Sequence, residues 1–207
     1  MAANDTMVVT GTLTLTEGKF TGLTGIIDVR GNVVQNSGAD LDNTSAPTLD
    51  FGNDSASQTY TINGGTGPLV RYDSAADAND TIVMGAAGGL AGLNLAAGFS
   101  GTFQLTNPSN YDFYLYDSNY AQAAGTFQGG AYTMHLNGAA CSGDFTITGG
   151  IFNSATTTVF ENCHTAYDVN STATFYNVTL NKNDAQYVSM AANDTMVVTG
   201  TLTLTEG

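Results

Sequence analysis

Residues 1–18 read MAANDTMVVTGTLTLTEG, and residues 190–207 read MAANDTMVVTGTLTLTEG again. Met1 recurs as Met190 and Gly18 as Gly207, and not one position between them has changed. Chance does not produce such a match, and an old duplication would have drifted. The expected organisation is one β-solenoid repeat unit over 1–189, with 190–207 as the start of the next identical repeat. Met1 then need not be an initiator, because its twin Met190 sits mid-chain after Tyr187-Val188-Ser189. A second arrangement is a pilus-like subunit that shares its terminal strand with a neighbour by donor-strand exchange. Residues 6–16 would serve as that strand, since Met7, Val9, Gly11, Leu13 and Leu15 alternate with Thr and Val. Either arrangement makes the chain a link in a fibre whose partner is itself. The inter-unit junction is expected at Met7, Val9, Leu13 and Leu15 and at their twins Met196, Val198, Leu202 and Leu204.

Composition narrows the fold. Gly, Thr, Asn, Ala and Asp abound, Trp is absent, and Lys plus Arg total four. Thr, Val, Ile, Phe and Tyr suit pleated surfaces, and Gly, Asn and Asp suit turns. The net charge of -14 argues against nucleic acid, whose phosphates require a basic footprint. No apolar run reaches the roughly 18 residues of a spanning helix, so membrane insertion is not expected. The most apolar stretch, residues 85–98, reads as a loop or a short capping helix.

Short alternating runs follow one another with turn pairs between them, as at Asn63-Gly64-Gly65, Asn137-Gly138 and Gly149-Gly150. This pattern fits a sandwich, a barrel or a solenoid. The exact repeat decides among them. A closed barrel has no place for a junction made of its own first strand, whereas a solenoid continues its stack into the next copy. The fold class is therefore all-β, a parallel β-helix or β-solenoid in tandem repeat. About nine coils of about 21 residues, ~4.8 Å apart, would advance the axis by roughly 40–45 Å per period.

Residues 174–182 (TFYNVTLNK), followed by 196–207 (MVVTGTLTLTEG), resemble a pattern of secreted bacterial β-helix proteins. Gln58–Gly65 and Phe145–Gly150 resemble further coils of that type. The resemblance covers residues 1–35 and 144–207. It is to right-handed parallel β-helix surface and adhesin-like repeat proteins. It implies secretion and display in an extracellular or cell-surface location, and it implies no catalytic residues.

Site chemistry is sparse. Asp40, Asp42, Asp73, Asp77 and Asp80 offer oxygen ligands for Ca²⁺, though in no EF-hand spacing; no other cofactor is expected. Cys141 and Cys163 are separated by about one coil, so adjacent rungs would bring them within disulfide reach. Two buried reduced thiols are the alternative. Sequons occur at Asn4, Asn43, Asn53, Asn79, Asn170 and Asn177, which glycosylation would require. His135 and His164 read as ordinary rung positions, because no nucleophile motif accompanies them. A polysaccharide lyase or hydrolase would need a clustered base or a carboxylate pair, so the chain is not expected to be an enzyme. In Tyr111–Tyr120, the alternation buries Phe113 and Leu115 and exposes Tyr114 and Tyr116. A glycan- or surface-binding adhesin would use those exposed tyrosines.

Overall fold

A computed structural model describes residues 5–18, 25–39, 47–51, 57–73, 79–106, 109–137, 143–161, 165–170, 172–181 and 187–206. Among them there is no helix, and every strand pairing is parallel. The chain is a β-solenoid with flat sides that we number in the order the chain visits them.

Side one stacks Thr6–Val9, Ile26–Val29 and Thr48–Phe51. It continues through the C-terminal halves of Thr66–Tyr72, Gly88–Leu95 and Phe113–Gln122. It ends with Gly143–Ile147, Thr165–Val169 and Val188–Met190. Side two stacks Leu13–Gly18, Val33–Ala39, Thr59–Asn63, Asn79–Met84, Thr102–Thr106, Thr126–Gln128 and Ile151–Asn153. Thr172–Phe175 and Thr195–Val198 pair with each other and extend this side. The Phe175 ring lies 5.5 Å from that of Phe152. Side three begins with the N-terminal halves of the three long strands. It continues through Thr133–Asn137, Thr157–Glu161, Asn177–Asn181 and Leu202–Glu206.

On side one the register runs Met7, Ile27, Leu49, Val70, Leu93, Tyr120, Phe145, Tyr167, Met190. The shortest step runs from Met7 to Ile27 and the longest from Leu93 to Tyr120. The coils are longer and fewer than the nine expected.

The interior is a continuous column of apolar side chains, because side chains alternate in and out along each strand. Aromatic rings at matching register stack directly: Phe103 on Phe127 at 5.8 Å, Phe127 on Phe152 at 5.2 Å, and Tyr120 on Phe145 at 5.1 Å. Offset-stacked and edge contacts of this kind add to simple area burial. Polar side chains enter this column where corners leave carbonyls without a ladder partner. Gln35 donates to the Gly64 carbonyl at 2.8 Å, and Gln122 to that of Ile151 at 3.0 Å. The hydroxyls of Tyr60 and Tyr120 donate to the amide oxygens of those same glutamines, at 2.6 and 2.8 Å.

Residues 85–98 correct the sequence reading. Gly88–Leu95 is a strand, with Leu90, Leu93 and Leu95 fully buried. Its glycines reflect close approach: a Cβ on Gly89 would collide with the Tyr114 carbonyl oxygen. The stretch 6–16 is likewise not one strand. It turns a corner at Thr10-Gly11-Thr12 and lies on two sides.

Burial raises the phenols of Tyr60 and Tyr120 well above the ordinary tyrosine range and that of Tyr167 to about 12. Folding thus favours their neutral form. The stability they contribute is intact below about pH 10, the unfolded value, and is lost as pH rises through the folded values. In an alkaline titration, these three phenols should ionise only as the β-sheet circular dichroism collapses. Ionisation of all ten tyrosines with the β signal intact would contradict this.

Candidate assembly interface at the ends of the stack

The two identical segments occupy the two open ends of the stack. In the first copy, Met7 and Val9 point inward over Ile27 and Val29, and Leu13 and Leu15 lie over Val33 and Gln35. In the second copy, Met196 and Val198 lie on Ala173 and Phe175, and Leu202 and Leu204 on Val178 and Leu180. The same positions face the core column both times. Leu15, on the first rung, is 7% exposed, whereas its twin Leu204, on the last rung, is 70% exposed. Contiguous exposed apolar surface is a candidate for interaction, and Met7, Val8, Leu202 and Leu204 are exposed on the two end rungs.

The second copy reaches back to the rung before it through polar groups as well. The Asp194 carboxylate accepts from the Val169 N–H at 2.8 Å, and the Tyr167 hydroxyl donates to the Thr195 carbonyl at 3.2 Å. The Thr199 hydroxyl donates to the Phe175 carbonyl at 3.1 Å, and the Thr201 N–H to the Asn177 amide oxygen at 2.9 Å. The Thr205 hydroxyl donates to the Asn181 amide oxygen at 2.9 Å. The twins of these five residues are Asp5, Thr6, Thr10, Thr12 and Thr16. Sequence reading named only the apolar junction positions. The signal for the polar ones was that the repeat keeps them unchanged.

Gly11 and Gly200 show the difference between a covered and an open edge. A Cβ on Gly200 would lie 2.7 Å from the Tyr176 carbonyl oxygen and 2.5 Å from the Asn177 amide oxygen. A Cβ on Gly11 would meet nothing within 4 Å. The glycine is sterically required only where a rung lies beneath it. Gly200→Ala should cost about 1–3 kcal/mol through overpacking against backbone. Gly11→Ala should be nearly neutral in the 207-residue chain. Equal costs in paired denaturation curves would contradict the assignment.

The remaining candidate groups fall into separate places. Outward on side one, Asp28, Asp50 and Arg71 share a column. Arg30 binds Asp28 at 2.9 Å, and Arg71 is bidentate on Asp50 and reaches Asp73 at 3.3 Å. The bond to Asp50 raises the Arg71 guanidinium further. Burial, then the charge of Asp50, pushes the Asp73 carboxyl up, against the pull of Arg71. Asp80 is elsewhere: it is buried, and it accepts from the Gln58 N–H at 2.8 Å. Asp40, Asp42 and Asp77 lie outside the described residues, and among those described no group of three or more His, Cys, Asp or Glu is arranged to hold a metal ion.

On side three the Tyr114 ring lies between Tyr116, at 5.6 Å, and His135, at 4.4 Å, both nearly parallel to it. His135 Nδ1 is 3.0 Å from Glu161, and its Nε2 is 3.6 Å from Asp112. Burial, then the charges of Asp112 and Glu161, raises the Tyr114 phenol. His135 is the cross-strand neighbour of Tyr114, and Tyr116 lies two residues along the same strand.

The Asn177 side chain is half-buried and engaged by Thr201, and exposed Asn170 donates to the Thr148 carbonyl at 3.0 Å. Asn4, Asn43 and Asn53 lie outside the described residues, as does the side chain of Asn79. Cys141, Cys163 and His164 also lie outside them. The Cys141–Cys163 bridge expected from the sequence therefore falls outside the described residues. Alkylation of the denatured, unreduced chain should leave both cysteines unmodified, and two alkylated thiols would contradict the bridge.

No protein-family model matches this sequence, and no significant match appears among curated proteins or solved structures. No helix among the described residues is long and apolar enough to cross a membrane.

Proposed function

We propose that the chain is the structural repeat of an extracellular or cell-surface fibre, in which periods equivalent to 1–189 stack end to end as one continuous β-solenoid. The observation that carries this reading is the double use of one sequence. The last rung contacts residues 167–181 through side-chain and backbone groups whose sequence twins lie on the first rung, at the other end of the stack. Within a fibre, each copy would be covered on both edges. Its N–H and C=O groups would all be paired, and the open edges that invite misassembly would remain only at the fibre ends.

The role is mechanical. Continuous backbone hydrogen bonding stiffens the rod, and the aromatic column excludes water. The acidic surface opposes side-by-side association through charge repulsion. Donor-strand exchange fits less well, because residues 6–16 bend into two strands on two sides, whereas a donor is one extended strand.

The test is a chain of three consecutive periods examined by electron microscopy and small-angle scattering. Each added period should lengthen a single rod by ~40 Å at ~4.8 Å per coil. Separate globules on a string would overturn the proposal.

A further inference from the structure

The twins do not lie on the same side of the coil. The Met7 column descends side one and ends on Met190, which is the twin of Met1 rather than of Met7. The true twin, Met196, stands on side two above Ala173. Leu13 starts the side-two column through Val33 and Tyr60. Its twin, Leu202, stands on side three above Val178, Thr158, Met134 and Phe113. Both halves of the repeated segment have moved one side onward. The period is therefore eight coils plus one side.

Resting on the continuous-fibre reading, we infer that consecutive periods are related by a rotation of one side of the coil, so that the fibre has a threefold screw. Three periods return every residue to its starting side after a whole number of coils. At the junction, Thr6–Val9 of one period pairs with Thr172–Phe175 of the period before, and Leu13–Glu17 with Asn177–Asn181. The inward positions agree at both edges, so the shift leaves the core column intact. Any outward feature of one period faces one direction, its next copy faces another about 40 Å along, and the first direction recurs about every 120 Å at ~4.8 Å per coil. The Tyr114–Tyr116–His135 stack is thereby presented around the whole circumference of the rod. A period of a whole number of coils would instead line up every copy on one face.

The test is a cryo-electron-microscopy reconstruction of a rod containing at least three periods. The expected result is a rise of ~40 Å per period with successive periods rotated by roughly a third of a turn, and density tracing Thr195–Val198 onto Thr172–Phe175. A rod whose periods superpose without rotation, with Thr195–Val198 stacked instead on side one over Thr165–Val169, would overturn the inference and leave the fibre reading standing. Detached globules would overturn both.

Discussion

Replacing Phe145 by alanine is expected to lower the unfolding free energy by about 3–5 kcal/mol, the range for truncating a fully buried aromatic side chain. Phe145 is completely buried, with ring centroids of Tyr120 at 5.1 Å, Phe152 at 5.4 Å, Tyr167 at 5.6 Å, Phe175 at 5.7 Å and Phe160 at 6.0 Å around it. It joins rungs above and below as well as sides one, two and three. Solenoid stability is close to a sum of rung and nearest-neighbour terms, so a cavity here weakens the coupling of two successive rungs. Tyr176→Ala is the control, because Tyr176 is 56% exposed and exposed substitutions usually change stability by within about 0.5 kcal/mol. Comparable losses for the two variants in urea denaturation would contradict the packing described for this column.

The second large effect depends on context. Leu202→Asp combined with Leu204→Asp should leave the 207-residue chain about as stable as before, since the two side chains are 53% and 70% exposed there. The same two changes at the junction between consecutive periods place two carboxylates in an apolar column. An ionised group moved from water into such surroundings is disfavoured by several kcal/mol unless it is paired. The rod should then part or bend at that junction, visible as shortened or kinked particles. Straight, full-length rods carrying both substitutions would contradict end-to-end stacking.

The solenoid was legible because it follows from two plain signals, an exact repeat and short alternating runs separated by turn residues. The inward set was legible for the same reason: Phe113 and Leu115, read as core, are fully buried. The corners were not. From Met7 through Val9, Gly11, Leu13 and Leu15 the in–out parity never breaks, because Gly11 takes an alternating position while the chain turns. A bend that preserves parity leaves no mark in a hydrophobicity pattern. The strand at Gly88–Leu95 was missed for another reason. Glycine usually weakens a strand, but here the space it leaves is filled by the Tyr114 backbone. Thr48–Phe51 and Thr165–Val169 are so short that alternation barely registers. The side shift between twins was hidden because coil length is uneven, shortest after Met7 and longest after Leu93. The length of the period therefore could not be converted into a whole or fractional number of coils. The polar half of the interface was within reach. Asp5, Thr10, Thr12 and Thr16 are retained in the second copy, where their twins bond to the rung below.

Amide hydrogen exchange on the repeated segment reports whether an internal copy is covered by a rung on each edge. In the 207-residue chain, both copies of the peptide spanning Asp5–Thr16 have one open edge, and their edge-facing amides should exchange quickly. In a chain of three consecutive periods, the internal copies are covered on both edges and should add a second, slowly exchanging isotopic envelope for that same peptide. A single fast envelope in both chains would mean that the repeated rung is never covered, and the account of a fibre built on its own beginning would fail.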